Sequence, residues 1–251
     1  MQSMIPISEG GLGAYWTARK ETAESCADRL RRCLENLATL SPAFASWFYT
    51  KERTRLQASS DPEFLRQLLL AGRNRKDFPP REVIEELGFS ASLITDAPVQ
   101  EQLSFRVVCG MHSKDPAIVN HCLLKFAPAG PLSYEAVPGD VKTRVLEVLI
   151  DAWDPDWAAL RSRKLSQALQ ARRGKGAVEP YFGWITYVSR RRGTPSEEIR
   201  KNFHCVPRSN AGEIIYVTQH SFDEGKPELV QAAADLYGLL EREGLLNRIS
   251  L

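Results

Sequence analysis

Positions 181–189, YFGWITYVS, are apolar on both sides of a strand alternation, with Tyr181, Gly183, Ile185 and Tyr187 on one side and Phe182, Trp184, Thr186 and Val188 on the other. A strand with one wet face alternates apolar with polar residues, so this pattern predicts a central strand covered above and below. A covered strand in turn predicts a layered domain, with helices on at least one face of a sheet. Gly183 removes a side chain beside Trp184, which predicts close approach of a ring or backbone there.

The remaining pattern alternates helical stripes with short aromatic strands. After the loop glycines Gly10, Gly11 and Gly13, residues 14–19 read as a strand. A helix over 21–40 follows, with Cys26, Leu30, Cys33, Leu34 and Leu37 on one stripe, ended by Ser41-Pro42. Residues 44–49 read as a second aromatic strand. Ser60 or Asp61 caps a helix that runs to Gly72, and REVIEEL (81–87) reads as a shorter one. Strands are predicted over 89–95, 104–112 and 118–126, the last two as a hairpin, followed by a helix over 140–152. Residues 158–176 read as helical, becoming a basic glycine-containing loop. Residues 203–207 and 213–219 form a hairpin turning at 209–212, and Pro227 opens a final helix. The expected fold is α+β, a mostly antiparallel sheet of about six strands with helices packed on it, in a single domain over 1–251.

Composition adds bounds to this picture. With 43% hydrophobic and 25% charged residues, the chain reads as an ordinary soluble globular protein. No leader pattern and no long uncharged apolar run is evident, so the expected compartment is the cytoplasm, with no membrane partner. Five scattered cysteines without a C-x-x-C pair suit reduced thiols, and Cys26 and Cys33 read as small core residues. A net charge of +2 excludes a globally basic nucleic-acid protein, yet charge is uneven. Positions 161–192 hold nine basic residues against Glu179, whereas 82–101 and 135–156 are acidic.

Candidate chemistry is sparse. Gly11-x-Gly13 has Trp16 in the third glycine position of a dinucleotide fingerprint and no preceding strand, and 173–176 lacks the P-loop spacing. Cys109 with His112, and His121 with Cys122, fall on opposite strand faces, so neither near-pair chelates one ion; a cross-strand site using one member of each stays open. No catalytic signature or cofactor site is expected. The basic segment 161–192 is a candidate for nucleic acid, with a solvated charged face as the alternative. Glu147, Asp151, Asp154 and Asp156, flanking Trp153 and Trp157, suit a protein partner: carboxylates speed capture of a basic surface and tryptophans anchor it. The alternative is a packed corner with ordinary surface acids.

Tyr15-Trp16-x-x-Arg19, the helix carrying Glu24-Ser25 and Cys26-Ala27, then Ser46-Trp47 and the late Gly183-Trp184 together resemble the immunity protein 52 family of bacterial polymorphic-toxin systems. The resemblance implies a non-enzymatic cytosolic antidote that binds a cognate toxin, with a restriction-endonuclease-like DNase delivered by type VI secretion as the expected one. Trp16, Arg19, Trp47, Gly183 and Trp184 then read as fold determinants. The acidic residues around Trp153 and Trp157 become the partner-binding candidates, with Glu82, Glu85 and Glu86 as the next choice.

Overall fold

The computed structural model of the chain describes residues 10–247 apart from 53, 116–117, 174–181, 209–211, 220–221 and 224; of residues 170–173 only the backbone is described. Its middle is β1 (Gly10–Trp16), whose alternation decides how the sheet is packed. Leu12, Ala14 and Trp16 point to one face and are at most 2% exposed; Gly11, Gly13 and Tyr15 point to the other. Around it lie β2 (Trp47–Lys51), β3 (Thr54–Gln57), β4 (Phe89–Thr95), β5 (Ser104–Cys109), β6 (Asn120–Lys125), β7 (Trp157–Ser162), β8 (Ile185–Ser189), β9 (His204–Arg208) and β10 (Gly212–Tyr216). They form one ten-stranded sheet in the order β3-β2-β4-β5-β6-β1-β7-β8-β10-β9, with antiparallel neighbours throughout.

The first face is covered by α1 (Ala23–Leu40), α2 (Pro62–Ala71) and α3 (Gly139–Trp153). Thr22 caps α1 by accepting from the Ser25 amide, and Asp61 caps α2 by accepting from the Phe64 amide. Two turns of α1 set Cys26 against Cys109 of β5 and Cys33 against Cys122 of β6. Burial, together with the neighbouring thiol, pushes the Cys109 and Cys122 thiols well up, so they are inert core groups. On the second face, α4 (Arg163–Arg173) packs beside β7 and against α6 (Pro227–Arg242). Phe182 meets Tyr237 of α6 edge-on, with ring centroids 5.7 Å apart. The short α5 (Glu197–Asn202) joins α6 through Ser196, whose amide donates to Glu243 at 3.1 Å.

The α+β class and the antiparallel sheet agree with the sequence, but the sheet has ten strands rather than about six. The aromatic run at 182–189 gives β8, buried along its whole length yet displaced toward one side of the sheet, where β6 and β1 hold the middle. Tyr181, the loop 174–176 and most of the 209–212 turn lie outside the described residues. Gly10, Gly11 and Gly13 are in β1 and not in a loop. Residues 81–87 form only a 3-10 turn at Glu85–Leu87, because Lys76 N donates to Glu82 O and Ile84 N to Asn74 O, an antiparallel pairing that takes the backbone a helix needs. Residues 158–162, expected as helix, are instead part of β7 together with Trp157.

Gly183 stands where the chain crosses β7. A Cβ built there would lie 1.8 Å from the Leu160 carbonyl oxygen, backbone that has no room to retreat. Gly183→Ala should therefore destabilise the fold by about 1–3 kcal/mol, read as a lower denaturant midpoint at unchanged slope. An unchanged midpoint would remove the close-approach account.

Candidate functional site

The acidic corner is built at the end of α3. A helix end leaves its last carbonyls without intrahelical donors, and here three arginines supply them. Arg29 Nη1 donates to Ala152 O at 3.1 Å, Arg19 Nη2 to Trp153 O at 2.9 Å, and Arg191 Nη2 to Asp154 O at 2.8 Å and Pro155 O at 3.0 Å. The cations also complement the negative end of the helix dipole. Asp154 ends the helix in the left-handed conformation, with φ of 45°. The chain then turns directly into β7, tied by Asp156 N donating to Tyr15 O at 2.8 Å.

The expected partner residues fall inside this closure. Trp153 is fully buried, stacked on Trp16 with centroids 5.3 Å apart, while Arg19 lies 5.2 Å from the Trp16 ring centre on the indole. Trp157 is 8% exposed, stacked on Tyr15 at 5.3 Å and covered by Arg192 at 5.0 Å. The tryptophans are thus the packed corner and not exposed anchors, since neither offers surface to a partner. Asp156 is likewise buried: its carboxylate accepts from Thr17 N at 2.8 Å, Thr17 Oγ1 at 3.0 Å and Arg191 Nε at 2.6 Å. Asp154 pairs with Arg191 at 3.0 Å, and Arg208 bridges Asp151 at 2.8 Å and Glu147 at 3.3 Å. Each of the four carboxylates has a guanidinium within 3.3 Å, so the negative field expected from the sequence is largely neutralised from within the chain. Of Arg190, Arg191 and Arg192, the last two are spent here, Arg192 also donating to Leu245 O at 2.7 Å. Two remaining motif residues are packed as well: Trp47 donates to Phe44 O at 2.9 Å, and Trp184 to the Tyr134 hydroxyl at 2.8 Å. The second-choice acids lie apart, Glu82 paired with Lys76 and Glu85 with Arg73.

Among the described residues a different surface is left open. On the second face, α4 packs on β7 and meets α6, and the adjoining part of the sheet carries a groove of about 1200 Å³. Its floor is low because β1 presents Gly11 and Gly13 there, the ring of Tyr15 lying across Gly13. Arg106 of β5, Lys125 of β6, Arg161 of β7 and Arg163 of α4 line it, and among the described residues no Asp or Glu does. His121 sits between them, its pKa lowered by burial and by the Arg106 charge, against a raising bond to Val119 O. Its imidazole is therefore neutral near pH 7, and the groove's charge comes from the guanidinium and ammonium groups. Gly11-x-Gly13 is no phosphate cradle, because β1 is paired with both β6 and β7 and its amides are committed to those ladders. Among the described residues no three His, Cys, Asp or Glu side chains gather to hold a metal ion, and no helix is long and apolar enough to cross a membrane.

The fold thus defines an α+β protein that closes its charged corner on itself and presents one cationic sheet face. The family model for Immunity protein 52 matches residues 11–249, and the chain belongs to that family. No curated protein sequence matches significantly. Among solved structures, the Pseudomonas aeruginosa T6SS protein PA0821 is similar in fold, with a TM-score of 0.52 at 13% identity, over 94% of this chain and 76% of that one.

The corner's two kinds of carboxylate separate in a stability test. Asp156→Ala removes the buried acceptor of the Thr17 amide and of Arg191 Nε, while Arg191 keeps Asp154, and should cost about 1.5–3 kcal/mol, whereas Asp151→Ala, at a half-exposed pair, should cost about 1 kcal/mol or less. Chemical denaturation of the two variants checks this. For His121 the folded pKa lies below the ordinary 6.5, so the unfolded chain takes up the proton first. Stability present above about pH 6.5 is then lost as the pH falls through the folded value, a loss that His121→Asn should reduce in denaturation curves across that range.

Proposed function

We propose that this chain is a non-enzymatic immunity protein of a type VI secretion system, a single domain that binds its cognate toxin and neutralises it. The toxin we favour is a restriction-endonuclease-like DNase, met in the cytoplasm where its substrate lies. The observation that carries the reading is the family match over 11–249; the likeness in fold to a protein named for type VI secretion agrees with it. Physically, neutralisation asks for a stable surface and slow release of the partner, and for no bond-making. A ten-stranded sheet braced by helices is such a rigid platform.

The alternative, a nucleic-acid module using 161–192, is weakened by one observation: Arg191 and Arg192 are engaged inside the chain, with Asp154, Asp156 and the Leu245 carbonyl. Charge mimicry through Glu147, Asp151, Asp154 and Asp156 is weakened similarly, since those carboxylates already have arginine partners.

The reading is checked by expressing the product of the adjacent gene alone and together with this chain. The expected outcome is killing by the neighbour, rescue by this chain, and co-purification of the two. A neighbour that is harmless, or a rescue without any complex, would overturn it.

A further inference from the structure

We propose that the open half of the second sheet face, across β5, β6 and β1, is where the toxin docks, and that it takes a carboxylate-rich protein surface of that toxin. This rests on the toxin-binding reading and adds to it a location and a charge sign opposite to the acidic one the sequence suggests.

Three observations converge on this face. Its cations are available: Arg106, Lys125 and Arg163 are exposed, and none has a carboxylate partner among the described residues, unlike the arginines of the acidic corner. No carboxylate among the described residues lines the groove, so the charged side chains that line it are all cationic. The face also holds apolar surface a protein partner would bury. Val99 lines it at 68% exposure, Leu123 of β6 and Ile118 just before that strand line it further along, and Asn74, at the base of the loop that carries Phe78 at 81% exposure, lines it too. Cations around a partly apolar floor match an acidic protein surface better than a duplex, whose binding draws on about 6–10 phosphate contacts with little apolar burial. The floor is also preorganised, because Gly11 and Gly13 sit in backbone paired on both edges.

The test titrates the purified toxin from the co-expression pair, carrying an inactivating substitution, into the full chain by calorimetry at low and high salt. Arg106→Glu/Lys125→Glu should weaken binding about 100-fold or more, and wild-type affinity should fall as salt rises, while the thermal melt of the variant stays near that of wild type because both side chains are exposed. Asp151→Lys on the acidic corner is the comparison. If that variant abolishes binding and the open-face pair does not, the contact lies at the corner and this proposal is overturned with the toxin-binding reading intact. If wild type forms no complex with the rescued toxin, both readings fall together. A third arm uses a duplex oligonucleotide: salt-sensitive binding by wild type that Arg106→Glu/Lys125→Glu removes would assign the face to nucleic acid and overturn the protein occupant.

Discussion

The structure depends on the alternation along β1. On one side Leu12, Ala14 and Trp16 are large enough to seat α1 and α3, and Trp16 stacks on Trp153, so the middle strand also fixes where α3 ends. On the other side Gly11 and Gly13 add no side chain, and the Tyr15 ring lies across Gly13 and stacks on Trp157. One strand thereby commits one face of the protein to a core and leaves part of the other face without cover among the described residues. The asymmetry is a backbone consequence of period-two geometry, and it requires no loop or cofactor.

The arginines divide by the same logic. Those near the end of α3 are held by carbonyls and carboxylates: Arg19 with Glu21 at 3.1 Å, Arg29 with the other oxygen of Glu21 at 2.9 Å, and Arg191 with Asp154 and Asp156. A guanidinium is suited to this because its planar fork serves several acceptors at once. Burial and the nearby Asp154 charge push the Tyr187 phenol beneath this network up to about 12, so it stays neutral. Arg106, Lys125 and Arg163 stand where the described chain offers no acid. Charge that is neutralised inside the fold contributes to stability, and charge that is not neutralised is what a partner meets.

Much of the fold was legible in the sequence, and the failures have particular causes. The stripe of Cys26, Leu30, Cys33 and Leu37 placed α1 because helical periodicity over 18 residues is a strong signal. Residues 158–162 read as helix in the sequence because AALRS is rich in helix formers, and pairing with β1 and β8 on its two edges overrides that preference. β3 was missed because TRLQ is a short exposed edge strand with no apolar alternation to read. The glycines of β1 were read as a loop because sequence does not show that the Tyr134 ring already occupies the space a Cβ at Gly10 would need. Trp16, Arg19 and Gly183 stand out in the sequence through the family resemblance, and the fold places them in a ring stack, at a helix end and at a strand crossing. The acidic run from Glu147 to Asp156 is equally visible in sequence, but its partners, Arg191 and Arg208, lie about 35 to 61 residues further along, so its neutralisation appears only in three dimensions. The open cationic face is illegible for the same reason: Arg106, Lys125 and Arg163 belong to three separate elements.

Hydrogen exchange of the full chain with and without its toxin tests the central claim most directly, since it reports where the partner sits without altering any residue. The account predicts added protection in the segments that rim the groove, at residues 96–102 and the first turn of α4, and none at residues 153–156. Protection confined to 153–156 and the C-terminal turn of α3, with the groove unchanged, would contradict it.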